Sequence, residues 1–181
     1  MKTPGLNWAT LPSEQDLVFP CDSLLESSEE PAFRAVTVNA SPAVLFRRLC
    51  QLRVAPYSYD WIDNGGRRSP AALTPGVEKL ALGQEVMTIF ELAGFEPGVH
   101  LTLTLSKPSA RRLFGELAVS YLIRATDHPE RSRLLGKLVF RYPRGPWGWF
   151  LRVALPAGDW VMMRRQFLNL KHLAECDAGA A

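Results

Sequence analysis

The sequence has little of what would mark a secreted, membrane-spanning or metal-dependent protein. Its three cysteines, Cys21, Cys50 and Cys176, are an odd number at no disulfide or metal spacing. With no charged-then-apolar leader at Met1, the expectation is a reducing, cytoplasmic location. No apolar run approaches the roughly 18 residues that a span requires, so no stable membrane insertion is expected. The run 147–155 is too short and is interrupted by Arg152. Asn39-Ala40-Ser41 has the form of a glycosylation sequon, but Pro42 follows it and it reads as a helix start.

Reaction motifs are missing too. There is no G-x-S-x-G, no G-x-x-x-x-G-K-[ST] and no G-x-G-x-x-G, which leaves covalent hydrolysis, nucleoside triphosphate chemistry and dinucleotide redox chemistry without support. No cofactor is expected. His172 and Cys176 stand i,i+4, but a tetrahedral metal site needs about four ligands and no third suggests itself. His100 alternates onto the polar face of its strand, away from where a general base would be useful. Charge is not concentrated: 21 Lys+Arg against 18 Asp+Glu leave a net +3, and the basic residues come as scattered pairs such as Arg47-Arg48 and Arg111-Arg112. A nucleic-acid partner would call for one basic face, so none is expected.

What is present is an ordinary globular composition. At 181 residues, 47% of them hydrophobic, the chain is long enough for one domain with a sizeable core. Residues 1–31 are rich in Pro, Ser and Glu with apolar islands at 6–8 and 17–19, and predict an extended arm partly ordered by packing, with 26–30 a solvated turn. The domain proper is expected over 32–177. Residues 33–39 predict a first strand, and Ser41-Pro42 starts a helix to about Leu52. Residues 57–66 predict a short helix or turn, and 67–82 a loop.

Strands are then expected at 84–92, 99–106, 115–125 and 132–142, with 94–98 a hairpin connection. If the last two pair symmetrically about 126–130, Glu116 faces Arg141 and Ser120 faces Lys137 on the outer face. Residues 143–155 read as a connection with a short helical piece. After the Pro156-Ala157-Gly158 breaker, Asp159 N-caps a helix over 159–175 whose apolar stripe is Trp160, Met163, Phe167, Leu170 and Ala174. The order predicts an α+β fold, a curved antiparallel sheet with one polar face wrapped around the final helix.

Two motifs add a family resemblance. Tyr57-Ser58-Tyr59-Asp60-Trp61-Ile62-Asp63-Asn64 resembles the Tyr-Ser-x-Asp-x-Ile/Leu-Asp-Asn segment of the START-related helix-grip superfamily, in its polyketide cyclase/dehydrase-like branch. Asp159-Trp160-Val161-Met162 with Arg164 and Arg165, then Leu170-Lys171 and Ala174-Glu175, is similar to that branch's last helix. The chain departs from the pattern at Ala55-Pro56, where Gly-Trp is frequent, and at Leu170 after Asn169, where Gly is usual. The resemblance implies a helix-grip fold with a cavity between sheet and helix, and a hydrophobic small molecule, lipid or polyketide-like, as partner.

Tyr57, Tyr59, Asp60 and Trp61 would stand at the cavity mouth, where they either orient a ligand or serve as core aromatics with Asp60 capping a turn. Phe90, Leu103, Tyr121, Phe140, Trp160, Met163 and Phe167 would line the walls, and they are also large enough to fill the space. Two other functions stay open. One is a cyclase/aromatase-type enzyme using Tyr57, Asp60 or Tyr121 to polarise carbonyls. The other is an interaction module with a filled core that uses Trp147, Trp149 and Phe150 for a partner or a homodimer.

Overall fold

The structure, a computed structural model, describes residues 6–25, 28–29 and 31–180. Of the acidic run 26–30 only Ser28 and Glu29 are described, and residues 1–5 of the arm lie outside the described part. In chain order the elements are β1 (Asn7–Trp8), α1 (Pro12–Gln15), a 3-10 turn (Pro20–Ser23), β2 (Ala32–Val38), α2 (Pro42–Cys50) and a second 3-10 turn (Gln51–Arg53). There follow α3 (Asp60–Asp63), β3 (Glu85–Val86), β4 (Phe90–Glu96), β5 (His100–Leu105), α4 (Pro108–Phe114), β6 (Glu116–Ala125), β7 (Ser132–Arg141) and α5 (Pro146–Gly179).

The seven strands form one sheet in the order β1-β2-β7-β6-β5-β4-β3, antiparallel except where β1 runs parallel to β2. The α+β helix-grip arrangement expected from the pattern is what the chain adopts. Alternation sets the register of β6 and β7: Leu117, Val119, Tyr121 and Ile123 turn inward with Leu134, Leu138 and Phe140. Glu116 pairs with Arg141 and Ser120 with Lys137, and the Glu116–Arg141 ion pair closes at 2.7 Å.

Three local expectations are corrected. The stretch 84–92 is not one strand. It breaks into β3 and β4 around a tight turn in which Met87 and Thr88 both take positive φ, 48° and 68°. Gly94 lies within β4, next to a bulge at Leu92, and the hairpin turn itself is 97–99. The largest correction concerns α5. It runs 34 residues and starts at Pro146, so the Pro156-Ala157-Gly158 stretch does not break it and Asp159 caps nothing. Proline removes one helical N–H, yet the Pro156 ring is buried and the turns on both sides are held by packing. The buried stripe is Met163, Gln166, Phe167, Leu170 and Ala174, and Trp160 stands at its exposed edge. The helix α4 was not anticipated.

The sheet's outer face is not left to water. The arm folds across it, so that Phe19, Cys21 and Leu25 form a second small core with Phe33, Ala35, Ala118, Leu135 and Val139. The polar residues of this face find partners there. The Cys21 N–H donates to Ser120 Oγ at 2.9 Å, Thr102 Oγ1 lies 2.8 Å from Ser120 Oγ, and Lys137 pairs with Asp22 at 2.7 Å above the Phe19 and Phe33 rings. The buried thiols are poor nucleophiles: burial pushes Cys21 up to about 11 and Cys50 up to about 12.

Candidate functional site

Between the inner face of the sheet and α5 a pocket of ≈ 160 Å³ remains unfilled. Leu117, Val119 and Tyr121 of β6 and Leu138 of β7 form its floor. Met87, Ile89 and Phe90 from the β3–β4 turn form one side, and Pro56, Ser58 and Asp63 another. Asp159, Met162, Met163 and Gln166 of α5 form the roof.

The polar groups are few and mostly committed. Buried Tyr121 donates its hydroxyl proton to Gln166 Oε1 at 2.7 Å, and Gln166 Nε2 donates to the Pro56 carbonyl at 2.7 Å. Burial, reinforced by the charge of Asp159, raises the Tyr121 phenol far above its ordinary value, so it acts as a neutral donor. Asp159 accepts from Arg34 Nη2 at 2.8 Å, and burial still pushes its carboxyl up to about 6 against the pull of that guanidinium. Asp63 accepts the Ser58 hydroxyl on Oδ2, while its Oδ1 is buried with no hydrogen-bond partner among the described residues. Burial raises the Asp63 carboxyl, with the Ser58 bond opposing.

Of the residues named from sequence, Phe90, Tyr121 and Met163 meet at this pocket. Leu103, Phe140 and Phe167 are buried core: Phe140 stacks on Tyr142 at 5.6 Å, and Phe167 lies between Trp8 and Tyr121. Trp160 (36% exposed) and Trp61 (75%) point to the surface. Tyr59 lies beneath the Arg165 guanidinium. Asp60 accepts from both the N–H and the hydroxyl of Ser69, which ties α3 to the loop that follows it rather than capping a helix. Within the cyclase set only Tyr121 therefore faces the pocket. His100, half-buried on the outer face, has its ring depressed in pKa by burial. His172 and Cys176 approach to 3.8 Å, and no group of three or more His, Cys, Asp or Glu suited to a metal occurs among the described residues.

Tyr57 is an anchor. At φ 56° it adopts a left-handed backbone that costs a non-glycine residue about 1–3 kcal/mol. What holds it there is a full set of bonds: its hydroxyl donates to Pro70 O and accepts from Gln51 Nε2, each at 2.8 Å, and its carbonyl accepts from Asn169 Nδ2 at 2.8 Å. Tyr57→Phe is expected to destabilise by about 1–2 kcal/mol, because Gln51 and Pro70 each lose a partner in a buried place. Urea denaturation would check this, and a change under about 0.5 kcal/mol would mean the hydroxyl is replaceable by water. Asp63, Asp159, Gln166 and Arg34 were missed as site residues. Ser58-x-x-x-x-Asp63 was visible in the first motif, whereas nothing local marks Arg34 on a strand or Gln166 on a helix as inward-facing polar groups.

No protein-family model matches the chain, and no curated protein does. Solved structures do resemble it. The protein MLL2253 from Mesorhizobium loti superposes with a TM-score of 0.50 at 15% identity, over 81% of this chain and 98% of that one. The protein KanY, solved by NMR, superposes with a TM-score of 0.51 at 14% identity, over 81% and 98%. The chain has the helix-grip fold. In helix-grip terms α5 packs mainly on β2 and α2, and the pocket lies between α5 and the floor of β6. No helix among the described residues is long and apolar enough to cross a membrane.

Proposed function

We propose that the protein binds a small hydrophobic molecule of about one ring, carrying a hydrogen-bond donor, in the pocket under α5. The observation that carries this is the unfilled ≈ 160 Å³ between apolar walls in an otherwise close-packed core. Size favours the smaller of the ligand classes that the sequence left open. Drug-sized ligands need about 300–1,000 Å³, and a rigid apolar cavity of about 150 Å³ holds benzene. A folded polyketide or a whole lipid chain is too large without α5 moving. The donor requirement comes from the two carboxylates that line the pocket, since Asp63 Oδ1 has no partner among the described residues and Asp159 is bonded to Arg34 through Oδ2. A phenolic hydroxyl or an amine would satisfy it.

The test is a thermal-shift and calorimetric panel of phenols, anilines and benzylamines beside long-chain fatty acids. A ligand at a hundred times its Kd stabilises by about 2.7 kcal/mol, which is roughly 5–11 °C in Tm for a chain this size. Leu138→Phe, which puts a ring into the pocket, is expected to abolish the shift while leaving the fold intact. An equal response from that variant would move binding elsewhere, and no response to any one-ring compound would refute the reading.

A further inference from the structure

We propose that the first half of α5 docks on an anionic lipid surface. This goes beyond the pocket reading and does not depend on it. Trp149, Phe150, Val153, Trp160 and Val161 fall within one sector of about 120° on the helix. Their exposures are 72, 52, 63, 36 and 44%. Trp147 and Leu113, each 46% exposed, extend the face, and the Trp147 Nε1–H donates to the Leu113 carbonyl, which fixes α4 beside the start of α5. So large a run of exposed tryptophan, phenylalanine and valine marks a surface that something covers.

Charge selects the occupant. Between residues 143 and 174 the sole acidic side chain is Asp159, and it is turned inward onto Arg34. Arg144, Arg164 and Arg165 are basic, as is Arg112 on α4, while Arg152 pairs with Glu29 at 2.7 Å and Arg111 with Glu91 at 3.9 Å. Arg112 and Arg144 make no ion pair among the described residues. A second copy seated across a two-fold axis would set these arginines against themselves. An anionic bilayer instead matches both halves of the face, tryptophan rings at headgroup level and arginines among the phosphates. Since no described helix can cross a bilayer, α5 would lie in the interface plane. Asp159, Met162 and Met163 of the pocket roof follow immediately along the same helix.

The experiment is sedimentation of the full chain with phosphatidylcholine vesicles containing about one third phosphatidylserine, where each arginine replaced is expected to weaken partitioning about fivefold. Arg112→Gln and Arg144→Gln test the charge. The double variant Trp149→Ala/Phe150→Ala, exposed in the free protein and therefore expected to fold, should lose about tenfold or more. Circular dichroism confirms that each variant is folded. Failure to sediment with the anionic vesicles would overturn the proposal, as would equal binding to pure phosphatidylcholine or undiminished binding by the Trp149/Phe150 variant. A concentration-dependent dimer dissolved by that same variant would assign the face to a second copy instead.

Discussion

Arg34→Ala is expected to lower the unfolding free energy by about 3–5 kcal/mol. Arg34 is fully buried on the inner face of β2, where it donates to the Leu6 and Phe33 carbonyls and, at 2.8 Å, to Asp159 of α5. The alanine leaves the Asp159 carboxylate, 17% exposed, facing an apolar pocket with no cation. It also weakens the hold on the residue before β1, because the Leu6 carbonyl keeps only the Phe33 N–H as donor. Removing both charges is a different matter. Arg34→Met with Asp159→Leu should recover most of the loss, because a buried ion pair is worth little over well-packed apolar groups. Chemical denaturation at pH 7 with an unchanged m-value would measure both, and a single-variant loss below about 1 kcal/mol would contradict the burial argument.

The same pair gives stability a pH dependence of definite sign. The Asp159 carboxyl is raised from 3.8 to about 6 on folding, by burial against the pull of Arg34. Between those values the folded chain holds a proton that the unfolded chain has released. Its contribution to stability is therefore complete below about pH 4 and is lost as pH rises through about 6. Asp159→Asn abolishes this slope whatever its offset at one pH. The difference between wild type and variant should shift toward the variant by up to about 3 kcal/mol between pH 4 and pH 7.

Alternation made the sheet legible because β6 and β7 obey it over ten residues each, down to the Glu116–Arg141 and Ser120–Lys137 pairs. Where strands are short the signal fails. β3 has two residues, and the turn after it uses Met87 and Thr88 at positive φ with no glycine or asparagine to announce it. Pro156 misled for a related reason. Local propensity reads Pro-Ala-Gly as a stop, whereas tertiary burial of the ring keeps α5 continuous. The continuity then changes the site. Asp159 becomes a roof residue rather than a cap, and the buried stripe gains Gln166 while Trp160 moves to the edge. Phe90, Tyr121 and Met163 were recoverable from face and position. Arg34 was not, since a buried arginine on an inward strand face runs against the burial rule, and its charge is matched by a partner 125 residues away.

Gly136→Val is the other change with a large expected effect, about 3 kcal/mol. Gly136 sits in β7 between Arg34 and Tyr121 on the neighbouring strands, beneath the Phe167 and Met163 side chains of α5. A Cβ there would lie 2.8 Å from Phe167 Cζ and 3.1 Å from Met163 Cε. The two neighbours differ in their freedom. Phe167 is fully enclosed, edge-on to Trp8 at 6.5 Å and against Tyr121 at 5.9 Å, and has nowhere to go. Met163 borders the pocket, and its flexible end can retract into it. The smaller Gly136→Ala already sets its Cβ against the enclosed Phe167 ring and should cost about 1–3 kcal/mol, while it also pushes Met163 into the ligand space and weakens a one-ring ligand about tenfold. Valine, with two further methyls, exceeds what Met163 can absorb and should lift α5 from β7. Denaturation midpoints and calorimetric binding of both variants separate the two effects. If valine costs under about 1 kcal/mol, the close approach at Gly136 does not seat the helix. If alanine leaves binding unchanged, the ligand does not share space with Met163.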